Sequence, residues 1–188
     1  MENQEPSIEK LVSVFNKLFV SQENTRLQMG AEEPFYQASK NGNHAVIFAR
    51  EDYFSSALHE IAHWTIAGKK KRQQDDFGYW YEPEGRTQLQ QIKFEDVEVK
   101  PQAIECILSL ACGQSFNISA DNFSDNNDPD KNDSPNADTS DHFRNCICKQ
   151  VKNYFESGLP TRANQLLLEL CREFRAGREL SQDEIANV

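Results

Sequence analysis

Long apolar runs are missing from this chain. No stretch approaches the roughly 20 consecutive apolar residues that a membrane-spanning helix needs, which argues against a helical membrane protein. The opening residues, Met1-Glu2-Asn3-Gln4-Glu5, lack the basic segment leading into an apolar run that marks a secretory signal, so no export is expected. Cysteine is sparse and odd in number. Of the five, Cys106 and Cys112 fall in an apolar segment that reads as buried, and Cys171 adds another lone thiol. Cys146 and Cys148 form a C-x-C in helix-like sequence with no partner pair to complete a metal site. Reduced, inert thiols in a cytoplasmic protein are therefore expected. Positive charge is also short, 20 basic residues against 30 acidic ones for a net −10. Most of such a surface repels a phosphate backbone, so direct nucleic-acid binding is not expected, whereas a cationic group such as a lysine side chain is attracted.

What is present suits one globular domain spanning 1–188, with 38% hydrophobic and 27% charged residues. Ile8, Leu11, Val12, Val14, Phe15, Leu18 and Phe19 recur at helical spacing after Ser7 and predict a helix over 8–20. Two short strands are expected at 34–36 and 44–49, either side of the turn Lys40-Asn41-Gly42-Asn43. A helix should run from Tyr53, with Asp52 as its cap and Gly68 as its stop. Lys69, Lys70, Lys71 and Arg72 follow and suit the negative end of its dipole. Residues 77–86 read as an aromatic loop, and an apolar helix is expected over 102–113. Pro101 disfavours helical geometry at Lys100, which suggests that the acids at 94–100 occupy a separate turn or short helix. Residues 125–141 are almost devoid of apolar side chains and predict a flexible loop. That loop lacks the glycine and terminal glutamate of a calcium loop. Two more helices are expected, over 142–158 and 161–176. The fold class is α+β: a small β-sheet packed by several helices, with a zincin-like metal helix facing the 94–98 segment.

The chemistry is concentrated in His59-Glu60-Ile61-Ala62-His63, which holds two of the four histidines. Residues four apart on a helix share a face, so two imidazoles can converge on one ion with Glu60 beside them. Two histidines hold a divalent ion weakly, and a third ligand is needed. Glu95, Asp96, Glu98 and Glu105 are the downstream carboxylates that could supply it, and spacing alone does not choose among them. With zinc, Glu60 is the general base of a hydrolase, the chemistry this motif favours by itself. With iron(II), two histidines and a carboxylate leave open positions for dioxygen and substrate.

Four segments carry more than the motif: Asn24-Thr25-Arg26-Leu27, the run from His59 to Lys69, Asp76-Phe77-Gly78-Tyr79-Trp80-Tyr81, and the run from Phe94 to Ala103. They resemble the bacterial elongation factor P hydroxylase family, over most of the chain. The resemblance implies a cytoplasmic, non-haem iron monooxygenase. Its substrate is elongation factor P, hydroxylated on its modified lysine after that residue has received a lysyl extension, with Fe(2+) as metal and dioxygen as cosubstrate. It also implies His59, His63 and Glu98 as the metal triad, because the block from Glu95 to Glu98 matches while Glu105 lies where the pattern is looser. Glu60 is then the catalytic candidate that orients a ligand or the substrate amine, and Glu95 or Asp96 helps to position the added amino groups. For Tyr79, Trp80 and Tyr81 two roles are expected equally, flanking the aliphatic stem of the lysine or plain core packing. The 125–141 loop departs from the family pattern. A zinc-dependent, peptidase-like hydrolase is the alternative.

Overall fold

Helix α1 (Ile8–Glu23) buries Leu11, Val14, Phe15 and Phe19 along one stripe, as the periodicity predicts, and runs three residues past the expected end. It stops at Asn24, which takes left-handed angles of φ 50° and ψ 36° and sends its N–H to the Phe19 carbonyl. Asparagine tolerates that conformation better than most residues. The chain, described in this computed structural model over residues 6–50, 53–78, 88–118 and 136–186, then enters strand β1 (Thr25–Ala31). That strand was not foreseen: its burial alternates residue by residue, but only Thr25 and Leu27 of its seven residues are fully buried.

Strands β2 (Phe35–Gln37) and β3 (Ala45–Arg50) lie where the sequence places them. The sheet order is β1-β3-β2, with β3 parallel to β1 and antiparallel to β2. Ala45, Val46, Ile47 and Ala49 are all buried, as expected of a central strand covered on both faces. The loop before β3 turns through Asn41 (φ 53°) and Gly42 (φ 80°), successive positive angles that an Asn-Gly pair supplies at low cost. Side chains close both outer edges. Asn16 exchanges two hydrogen bonds with the Leu27 backbone, at 2.7 and 3.1 Å. On the far side, the carboxylates of Asp76 and Asp75 accept from the N–H groups of Tyr36 and Ala38, each at 3.0 Å. An edge satisfied in this way has little left to offer another strand.

Helix α2 (Phe54–Ile66) packs on β3 and on α3 (Gln88–Cys112) and buries Ala57, Leu58, Ile61, Ala62 and Trp64, whose ring lies edge-on to Phe15 and Phe19 of α1 at 5.1 and 4.8 Å. Asp52, its expected cap, lies outside the described residues, and Tyr53 holds the cap position without a side-chain bond. The expected glycine stop is corrected too. Ala67 ends the helix in an extended conformation and Gly68 is not left-handed. Instead, Arg162 donates to the carbonyls of Trp64, Thr65 and Ala67 at 3.1, 3.0 and 2.6 Å, while its guanidinium lies 4.9 Å from the Trp64 ring centre.

Helix α3 (Gln88–Cys112) is one continuous element with Pro101 inside it, which overturns the expected break before the proline. An interior proline costs about 3 kcal/mol. Here the bond it removes belongs to Val97, a surface residue that water can reach, and the next two turns bury Ala103, Ile104, Cys106, Ile107, Leu108 and Ala111. Helix α3 packs against α2, against α4 (Asn136–Ser157) and against α5 (Thr161–Phe174); α6 (Gln182–Ala186) rests on α4. Residues 136–141 are thus the first turns of α4 and not part of the expected 125–141 loop. The remainder of that loop, and the aromatic residues 79–86, lie outside the described residues. Among the described residues, six α-helices and a three-stranded sheet make the class α+β, as expected. Among the described residues no helix is long and apolar enough to cross a membrane.

Candidate metal centre

The α2 face that carries His59 and His63 is turned toward α3. Because α3 continues through Pro101, Glu98, Gln102 and Glu105 recur every three to four residues, form one polar stripe and are all buried. His63 Nε2 lies 3.2 Å from one Glu98 oxygen, His59 Nε2 lies 3.7 Å from the other, and the two ring nitrogens are 3.1 Å apart. One ligand atom from each of His59, His63 and Glu98 falls within 4.8 Å of the others. Donors about 2.1 Å from a common ion stand ~3 Å apart when at right angles and at most ~4 Å apart. The group therefore fits a single ion.

The surroundings hold these donors in place. His59 Nδ1–H donates to Glu105 at 2.8 Å, which turns Nε2 toward His63 and Glu98. Gln102 donates to Glu98 at 3.5 Å. Burial works against a charged His59, but the Glu105 hydrogen bond and the charges of Glu105, Glu98 and Glu60 outweigh it and push its pKa up to about 9. For Glu98, burial favours the neutral acid, yet the His63 hydrogen bond and the two imidazoles hold its carboxyl below the usual range. Burial raises the pKa of Glu60 against the opposing pull of His59 and His63.

The sequence model of the elongation factor P hydroxylase family matches residues 14–185, which include every residue of this site. The chain belongs to the elongation factor P hydroxylase family. An elongation factor P lysine hydroxylase of Haemophilus influenzae is 46% identical over 164 residues, covering 86% of this chain and 86% of the relative. A hydroxylase family and a His-His-Glu group able to hold an ion together fit a metal-dependent oxygenase.

The four downstream carboxylates that could supply a third donor take different positions in the fold. In this family member Glu98 faces both histidines, while Glu105 reaches only the far nitrogen of His59. Glu95 lies one turn before Glu98 and accepts from Gln91 at 3.0 Å, whereas Asp96 is exposed. Glu60 is half-buried beside the ligands on α2. Gln102 and Arg162 were missed by sequence reasoning. Gln102 was legible as the middle of an E-x-x-x-Q-x-x-E face, had the helix been carried through Pro101. Arg162, almost a hundred residues from the carbonyls it holds, left no local signal.

Proposed function

We propose that this chain hydroxylates the lysyl-modified lysine of translation elongation factor P, using iron(II) held by His59, His63 and Glu98, with dioxygen as cosubstrate. The convergence of these three donors inside the segment matched by the family carries the reading. The relative's name states lysine hydroxylation of elongation factor P for that protein, and 46% identity over most of both chains extends it here. The comparisons do not favour the hydrolase alternative. A single domain in the cytoplasm, where translation factors act, completes the proposal.

Iron(II) in this site would supply dioxygen activation, with one oxygen atom entering a carbon–hydrogen bond, the other leaving as water and two electrons coming from an external reductant. The chain's own residues supply orientation. Glu105 keeps the His59 proton on Nδ1 and leaves Nε2 free as a donor, and Gln102 fixes the Glu98 carboxylate. Glu60 and Glu95, both on faces adjoining the ligands, are the anionic groups able to orient the amino groups of the modified lysine. Asp96, which faces solvent, is the weaker candidate for that task.

The test is the intact mass of lysyl-modified elongation factor P after incubation with the iron(II)-loaded protein and a reductant, in air and without oxygen. A gain of one oxygen atom in air alone is expected. An unchanged mass with iron bound and the factor correctly modified overturns the reading and returns attention to zinc-dependent hydrolysis.

A further inference from the structure

Beyond the metal centre, a cleft of about 830 Å³ opens where the end of α2 meets α3, α4 and the start of α5. Lys69, Lys70, Lys71 and Lys100 line it, together with the apolar surfaces of Ile66 and Tyr154. Lysines after a helix ordinarily complement its negative end. Here that task is taken by Arg162, which already occupies the carbonyls of Trp64, Thr65 and Ala67. The side chains of Lys69, Lys70 and Lys100 are exposed and make no hydrogen bond or ion pair among the described residues. The like charges of Lys69, Lys70 and Lys100 around one cleft repel one another, and no side-chain partner among the described residues offsets that repulsion, so their arrangement answers to something outside the chain. On a protein of net charge −10, a local cationic cleft is where an anionic surface can land without meeting the repulsion felt elsewhere.

We propose that this lysine cleft is the docking surface for an acidic face of the protein substrate. The proposal rests on the reading that the substrate is elongation factor P. Its position suits the task. Ile66 stands about 4.5 Å along α2 from His63 and Lys100 about 3 Å along α3 from Glu98, so the cleft is lined by residues of the same two helices that carry the metal donors. A protein held there is fixed in distance from the centre. The poles are also opposed: the metal face carries Glu60 and Glu95, which attract the cationic modified lysine, and the cleft carries the lysines. One substrate orientation satisfies both, and the reversed one satisfies neither. A polynucleotide would have to cross the acidic remainder of the surface, which disfavours it.

The experiment compares the iron-loaded wild-type protein with a Lys69→Glu/Lys70→Glu/Lys100→Glu variant, none of whose positions belongs to the metal site. Hydroxylation of lysyl-modified elongation factor P is followed at low and high salt, and binding of the labelled factor is read by fluorescence anisotropy. The expected result is a KM raised about tenfold or more with kcat within about twofold, iron content unchanged, and the salt dependence of KM lost. A matching triple Lys→Arg variant should retain the wild-type KM, which separates charge from shape. Should the glutamate variant not fold, the triple Lys→Gln variant gives the same reading with a smaller shift. A KM and salt dependence equal to the wild type overturn the proposal. So does a variant whose one loss is binding of a labelled single-stranded RNA. If the wild type adds no oxygen but binds the factor, and the variant does not, the hydroxylase reading fails and the cleft stands.

Discussion

Replacing Glu105 separates its role from that of a ligand, and the size of the effect depends on pH in a way that only the observed geometry predicts. Removing a residue that orients a metal-bound histidine typically costs 10- to 100-fold in affinity, about 1.4–2.7 kcal/mol. Against this stands proton competition. With His59 pushed up to about 9, ion binding at pH 7.5 must first expel a proton, at a cost of about 2 kcal/mol. Glu105→Ala removes the hydrogen bond and charge that hold that proton, so the His59 pKa falls and the cost shrinks. The two terms nearly cancel near neutral pH and part company as the pH rises. Affinity for chelator-buffered zinc or cobalt is therefore expected to fall little at pH 7 and by tens of fold at pH 9. Glu105→Gln, which keeps an acceptor for Nδ1–H but no charge, should lie between. Calorimetry in two buffers of different ionisation heat should register about one proton released per ion in the wild type at pH 7.5, and fewer in the alanine variant. A loss independent of pH refutes the assigned hydrogen bond. A loss as large as that of Glu98→Ala at every pH makes Glu105 a ligand instead.

Three further outcomes follow from the same contacts. Arg162→Met removes three bonds to the end of the metal helix and should cost about 3 kcal/mol in urea unfolding, with Arg162→Lys recovering part of it. The ion-free protein should be most stable between about pH 4.5 and 6.5. Because the His59 pKa is raised on folding, its contribution is complete below the unfolded value of 6.5 and is lost as pH rises through about 9. Glu98, with its pKa lowered, contributes above 4.5 and is lost on acidification; urea midpoints across that range check both limbs, and His59→Gln should flatten the alkaline one. Finally, an aromatic disulfide reagent should titrate at most Cys146 and Cys148 in the folded protein, because Cys106, Cys112 and Cys171 are buried and burial pushes the Cys106 thiol up to about 12.

The parts of the fold that were legible in sequence are those whose signal is local. The stripe of Leu11, Val14, Phe15 and Phe19, the Asn41-Gly42 turn and the spacing of His59 and His63 each state their geometry within a few residues. Strand β1 was hidden because its pairing partner β3 lies some twenty residues away and its inward half, Thr25, Leu27, Met29 and Ala31, has few large apolar side chains. The third donor was hidden by a local rule that tertiary packing overrode. Pro101 argued for a break, and a broken segment scatters Glu98 and Glu105 onto unrelated elements. The buried apolar turns that follow Pro101 hold the helix together, and only then do Glu98, Gln102 and Glu105 become one face. Choosing Glu98 over its neighbours needed either the family resemblance or the facing helix, since four carboxylates within eleven residues are equivalent by composition.

That stripe is also evidence of function independent of the histidine motif. Bringing two carboxylates and an amide into the α2–α3 interface costs several kcal/mol per charge before any pairing, and apolar side chains of similar size would fill the same space at no such cost. The imidazoles opposite return part of it, but they too lose hydration on burial. A fold selected for stability alone has no reason to keep this arrangement, because both sides could become apolar together. It persists where the polar groups have a partner that the chain does not itself provide. For two imidazole nitrogens and a carboxylate converging within 4.8 Å, the partner that satisfies all three at once is a cation. On this argument a variant carrying leucine at 59, 63, 98 and 105 should be more stable than the ion-free wild type and bind no divalent ion there, the stability gained being what such a site gives up to accommodate a cation.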